Sequence, residues 1–417
     1  MMAKTEPPAW LTAKRLKAYG TVLALALWLA YGWNLSTPGL RDRSGNLKGT
    51  DFLHFYTLGS LADAHDAADL YDMNAQAVLA SRRVPQAAGL KYLPLYPPQL
   101  SLVFAPLAET SYGRALALWW AWTAILYAGC CYWTWRACLN LYKYAGTVLV
   151  LTAGFPAFFH LIAWGQTSAL ALLCFTALFF LLRSRRDFLA GLVLGCLVFK
   201  PQLGLAAAIV FLSIGAWRVI AGSLLSAAAQ MAAGAVFYGT QSLKEWFRTF
   251  SRIGAFLPLL EPRPYQTHSL RTFWSMLMPW LNVALALYVL SAVVVLAIAV
   301  ACWRRGQAVP LAMRYSVLLL ATVLVAPHLT VYDLVILAPA ILVLADWIVG
   351  QPSTSSTRKL GGLLFLVYIL PLVGPLARWT HIQLSVIAMA STVYVIFSLS
   401  RQISPTTASV EPSVESI

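Results

Sequence analysis

Apolar runs dominate this chain and recur at similar lengths. Stretches at 18–35, 115–135, 144–163, 167–182, 219–238, 283–303, 311–326, 330–349, 360–377 and 383–400 carry little charge. Each comes near the ~20 residues that a helix needs to cross a bilayer core. A further apolar stretch between Arg186 and Arg218 is interrupted by Lys200-Pro201. Basic residues at both of its ends belong on one side, so 188–199 and 201–216 are predicted to form a hairpin with Lys200 at the far tip. The pattern therefore predicts an all-α integral membrane protein of about twelve spans, with both termini on the same side.

Most of the remaining polar sequence lies in two long segments, 36–114 and 239–282, which this topology brings to the opposite face. In the first, Phe52, Phe55, Tyr56 and Gly59 fall at i, i+3, i+4 and i+7, one side of a helix. So many aromatics predict an interfacial helix lying along the membrane surface. Residues 402–417 are rich in Ser, Thr and Pro and are expected to form a disordered cytoplasmic tail, leaving 1–401 as one polytopic domain.

Composition agrees with lipid as the solvent. The 417 residues are 60% hydrophobic and 11% charged, with a mean hydropathy of +0.70, too much apolar surface for a water-soluble core to hide. A net charge of +15 would suit nucleic acid, but the cations sit in small groups between apolar runs rather than along a stripe, which excludes that partner. Lys14, Arg15 and Lys17, the group Arg183, Arg185 and Arg186, and the pairs Arg304-Arg305 and Arg358-Lys359 mark the cytoplasmic side. The short loops of the other side hold Lys200 and Arg378. Trp33, Asn34 and Leu35 stand where a signal peptide would need small residues, which favours an uncleaved first span. The six cysteines lie in or beside apolar runs without a CxxC spacing, so neither disulfides nor zinc are expected.

Sidedness exposes an asymmetry. All six histidines, and all of the fifteen acids except Glu6, Asp187, Asp346, Glu411 and Glu415, map to the outer face. Any site that moves protons or grips a polar ligand is expected there. Asp51 stands at the head of the predicted helix, where it could cap the helix or serve as a general base. Asp63, Asp66, Asp69 and Asp72 recur every third residue, a spacing that drifts around a helix and favours a solvated loop over a metal site. Tyr96-Pro97-Pro98 is a rigid corner that either introduces the next helix or lines a groove. Gly165-Gln166 joins two runs with almost no loop; a turn explains the glycine but not the amide. Lys200, with Gln202 close by, would be costly within the bilayer unless it snorkels or meets an anion such as a lipid phosphate. His328 and Asp333 bracket Tyr332 near a helix start, where a carboxylate suits the dipole but an intramembrane acid also suggests a site. The segment Tyr265–Arg271, containing His268, is polar enough to close over a ligand, and His54 lies one turn beyond Asp51.

In this order the stretches DFLHFYTLGSLADAHDAADLYD (51–72), YPPQLSLVFAPLA (96–108), GQTSAL (165–170), AGLVLGCLVFKPQLG (190–204) and APHLTVYDLVILAPA (326–340) resemble the glycosyltransferase family 87 membrane proteins. The resemblance implies a GT-C-like helical bundle that takes sugar from a polyprenyl phosphate on the outer leaflet. It also implies that the acid of the first outer loop, here Asp51, is the catalytic base. Thr267-His268-Ser269 departs from the Asn-Gln-Ser-like triplet common in the family, so the sugar and acceptor are not carried across. Under this reading Lys200 and His328 bind the donor phosphate, and His54, Tyr96, Gln166, Gln202, His268, Tyr332 and Asp333 contact substrate. The partners are a polyprenyl-phosphate sugar, a glycan or glycolipid acceptor and membrane lipid, with no metal or other cofactor. A transporter or flippase for lipid-linked sugars is the principal rival, although polar residues crowd one face rather than the midplane where transporter sites lie.

Overall fold

The computed structural model describes residues 12–256 and 261–403. Among them there is no strand; two isolated bridges, Arg41 with Leu47 and Thr267 with Thr330, are the only extended pairings. Most of the tail expected to be disordered, 404–417, lies outside the described residues, and Gln402 ends the last helix, Leu384–Gln402.

Every apolar run of the sequence falls on helix, but the runs are not equivalent. Six helices among the described residues are long and apolar enough to cross a membrane, and a seventh crossing results if Leu139–Ala153 and Pro156–Trp164, bent by 40°, act as one. Ser168–Arg183, Asp187–Phe199, Pro201–Ser213 and Leu311–Val325 are shorter. The reason is visible in Leu311–Val325. Every residue from Tyr315 to Val325 is buried, against helices that include Pro201–Ser213, Leu281–Arg304 and Leu384–Gln402. Its apolar surface faces protein on all sides, so it need not match the thickness of the hydrocarbon. Length alone thus does not support a count of twelve crossings.

Asp187–Gly195 and Trp217–Tyr238 approach backbone to backbone. A Cβ on Gly191 would stand 2.1 Å from the Val219 carbonyl oxygen, one on Gly195 2.3 Å from that of Ser223, and one on Gly222 2.3 Å from that of Phe188. Between lipid-facing helices, where apolar burial drives little, such close contact supplies the attraction. Gly191→Leu should therefore force this pair apart at a cost of at least ~1–3 kcal/mol. The expected result is a lowered melting temperature in detergent; an unchanged one would contradict the close packing.

The expected surface helix is a real helix, Phe52–Asp63, in a different setting. All residues from Phe52 to Ala62 are buried, and it packs along Leu100–Ala108 so tightly that a Cβ on Gly59 would meet the Phe104 carbonyl oxygen at 2.3 Å. Leu53, Leu58 and Leu61 occupy the sides left by Phe52, Phe55, Tyr56 and Gly59, and a helix apolar all round is a buried one. It is a core helix that contributes His54 and Phe55 to the cavity lining, without the free polar face that an interfacial helix turns to water.

Candidate active site

The loop-bearing end of the bundle holds a cavity of about 910 Å³. Its walls come from both long loops and from the breaks between the short helices. Asp51, His54, Tyr96, Gln166, Lys200, Gln202, His328, Tyr332 and Asp333 all line it.

Asp51 reaches the cavity through two glycine-dependent turns. Gly49 and Gly165 have φ of +64° and +68°, and a Cβ on Gly165 would stand 2.7 Å from that of Phe52, so a side chain at 165 is strained and obstructed. The Asp51 N–H donates to the Trp164 carbonyl at 3.0 Å, locking the two turns together. The Asp51 carboxylate makes no cap hydrogen bond to its helix. Its Oδ2 instead accepts from Gln166 Nε2 at 2.7 Å, while Gln166 Oε1 accepts from Thr167 N–H at 3.3 Å and, loosely, from Tyr96 Oη at 3.4 Å. The unexplained amide of the Gly165-Gln166 turn thus orients a carboxylate. Asp51 keeps some access to the cavity, yet burial pushes its pKa up to about 6. The Gln166 hydrogen bond and the Lys200 charge hold it down only in part, and Asp333 opposes them.

Lys200 lies between the short turn Cys196–Phe199 and Pro201–Ser213, and is buried. Its Nζ donates to Asp333 Oδ1 at 2.7 Å and Ser168 Oγ at 2.9 Å and stands 5.1 Å from the Tyr332 ring centre. Ser168 Oγ donates to the same Asp333 oxygen at 2.5 Å, and Asp333 Oδ2 accepts the Thr330 N–H at 3.2 Å. Asp333 therefore closes its helix start and neutralises Lys200 at once. The lysine does not snorkel, and its charge already has a partner, which qualifies its expected role as a free phosphate ligand. An ammonium has three protons, and these two bonds leave one for a ligand.

Elsewhere in the cavity lining, His328 Nδ1 donates to Glu261 Oε1 at 2.8 Å, and Arg271 pairs with Glu261 Oε2. Burial would raise Glu261, but the His328 hydrogen bond and the Arg271 charge outweigh it and hold the carboxyl below its usual range. With Nδ1 engaged, Nε2 is the nitrogen of His328 left for another partner. Glu261 and Arg271 were not singled out from the sequence. The signal was present, because Glu261 is one of two acids between 239 and 282, the other being Glu245.

The two remaining histidines of the expected site part ways: one lines the cavity and the other does not. His54 is buried among Phe55, Tyr92 and Tyr96, with no protein partner for Nε2; burial lowers its pKa to about 4, so it is neutral at ordinary pH. His268 does not line the cavity. It is buried, with Nδ1 2.6 Å from Ser385 Oγ and Gly374 packed over its ring, so it ties the second loop to the last helices. The aspartates at 63–72 do not form a cluster: Asp66 caps the N–H groups of Ala68 and Asp69, and Asp72 those of Asn74 and Ala75. Among the described residues no group of three or more acids, histidines or cysteines is placed to hold a metal ion.

Compared with known proteins, residues 95–327, more than half the chain, match glycosyltransferase family 87. No curated protein and no solved structure matches the chain.

Proposed function

The chain belongs to glycosyltransferase family 87, and from that premise we propose that it is a membrane enzyme moving a sugar from a polyprenyl phosphate to a glycan or glycolipid acceptor. The observation that carries this reading is Asp51: a carboxylate freed from capping, turned into a large cavity and held there by Gln166. The acceptor hydroxyl attacks the anomeric carbon as Asp51 takes its proton. The bond from that carbon to the phosphate oxygen breaks, and the lipid phosphate leaves with the electron pair. A single displacement through an oxocarbenium-like state inverts the anomeric centre.

The developing phosphate charge is met by the third Lys200 proton and by His328, with Arg271 beside it. Tyr96, Tyr332 and Gln202 supply the walls for the sugar. The proposed setting is the periplasmic side of a bacterial inner membrane, and mannose or another hexose or pentose is the proposed cargo.

Protonation of Asp51 gives a direct test. The base must be ionised to act, so activity should rise with pH through about 6 and level off above it. At pH 5 the rate should be about one tenth of the plateau, with log kcat/KM rising one unit per pH unit below the pKa. A profile that is flat or falling between pH 5 and 7 would remove Asp51 as the base.

A further inference from the structure

The loop after the span Trp217–Tyr238 contains the two-faced helix that the first loop lacks. In Thr240–Ser251, Leu243, Trp246, Phe247 and Phe250 fall on one side, and Gln241, Glu245 and Arg248 on the other. The apolar stripe meets two surroundings. Trp246 is buried, its indole N–H donating to the Leu95 carbonyl at 3.0 Å. Phe247 is 54% exposed, with the exposed Lys244 close by on the same flank. Gly239, at φ +83°, turns the chain straight from the end of the span into this helix, which fixes the helix at the height where the span leaves the bilayer. Just beyond the exposed edge, Phe250 and Ile253 form part of the cavity wall.

We propose that Thr240–Ser251 lies in the surface of the membrane leaflet on the loop-bearing side, with Phe247 among the acyl chains and Lys244 at the phosphate level, and that it forms the lip over which a lipid-borne substrate passes into the cavity. The partner of this face is a phospholipid leaflet. An aromatic edge flanked by lysine fits the boundary between acyl chains and anionic headgroups, and fits water poorly. Arg252 adds an exposed cation, while Arg248 is paired with Glu245 at 2.7 Å. The placement follows from the helix alone; the passage rests on the reading of the chain as a transferase of lipid-linked sugar.

The test uses full-length protein in nanodiscs of phosphatidylglycerol and phosphatidylethanolamine, with benzoylphenylalanine replacing either Phe247 or Gln241. After irradiation, intact mass should show a phospholipid adduct at 247 in ~10-fold excess over 241. No adduct at 247, or equal adducts at both positions, overturns the placement. In parallel, Phe247→Ser should raise the KM for a long-chain polyprenyl-phosphate sugar by about tenfold, leaving kcat and the KM for a short-chain, water-soluble donor unchanged. Equal KM changes for both donors, or none, overturn the lip. If wild-type protein transfers from neither donor yet carries the adduct at 247, the transferase reading and the lip fall together and the placement stands.

Discussion

Asp51→Asn lowers transfer by about 10²- to 10⁴-fold, the usual contribution of a positioned general base, without unfolding the protein. Asparagine keeps the shape and an oxygen for the Gln166 amide, but it cannot take a proton. Stability should move the other way. Burial raises the pKa of Asp51 to about 6, so the ionised form is the disfavoured one in the folded protein. That unfavourable contribution is present at pH 7 and fades as pH falls through the folded value. The asparagine variant should therefore melt at the same temperature or higher at pH 7, and the gap to wild type should narrow as pH falls below about 6 and close only towards 3.8, the ordinary value of the carboxyl. Loss of activity joined to a lower melting temperature would point instead to a structural role.

Lys200→Ala has the second large effect, and it falls on the fold before it reaches the chemistry. The lysine and Asp333 are 5% and 3% exposed, 2.7 Å apart. Removing one partner leaves a buried charge unmatched, which costs about 3–5 kcal/mol. A sharp drop in melting temperature is expected. Because well-packed neutral groups can replace a buried pair with little loss, Lys200→Met with Asp333→Asn should recover most of that stability, and the asparagine oxygen still accepts the Thr330 N–H. Donor binding should stay weak in the double variant. A single variant as stable as wild type would show that Asp333 does not depend on Lys200.

These two residues also show what the sequence made legible. Gln166, Lys200 and Asp333 each stand where a polar group interrupts apolar surroundings and must be matched when buried, whereas Asp51 was marked by its place at the head of a helix and by the family resemblance; all four line one cavity. What the pattern could not distinguish was burial in lipid from burial in protein. Leu311–Val325 looks the same either way, so twelve runs were read as twelve crossings. Phe52–Asp63 was placed in the interface because four of its residues share a face, while Leu53, Leu58 and Leu61 on its other sides make it a core helix. His268 misled for a similar reason: a histidine in a polar segment looks free until Ser385, more than a hundred residues later, is found against it. Glu261 was missed because its partners, Arg271 and His328, meet it only in the folded chain.

The most direct measurement is transfer itself. Purified wild-type protein in liposomes, given a radiolabelled polyprenyl-phosphate hexose or pentose and an envelope glycolipid fraction, should move label to the acceptor with inverted anomeric configuration, and the Asp51→Asn protein should not. Label that crosses the bilayer still attached to its lipid, or full transfer by the asparagine protein, would contradict the assignment of Asp51 as the base of a sugar transferase.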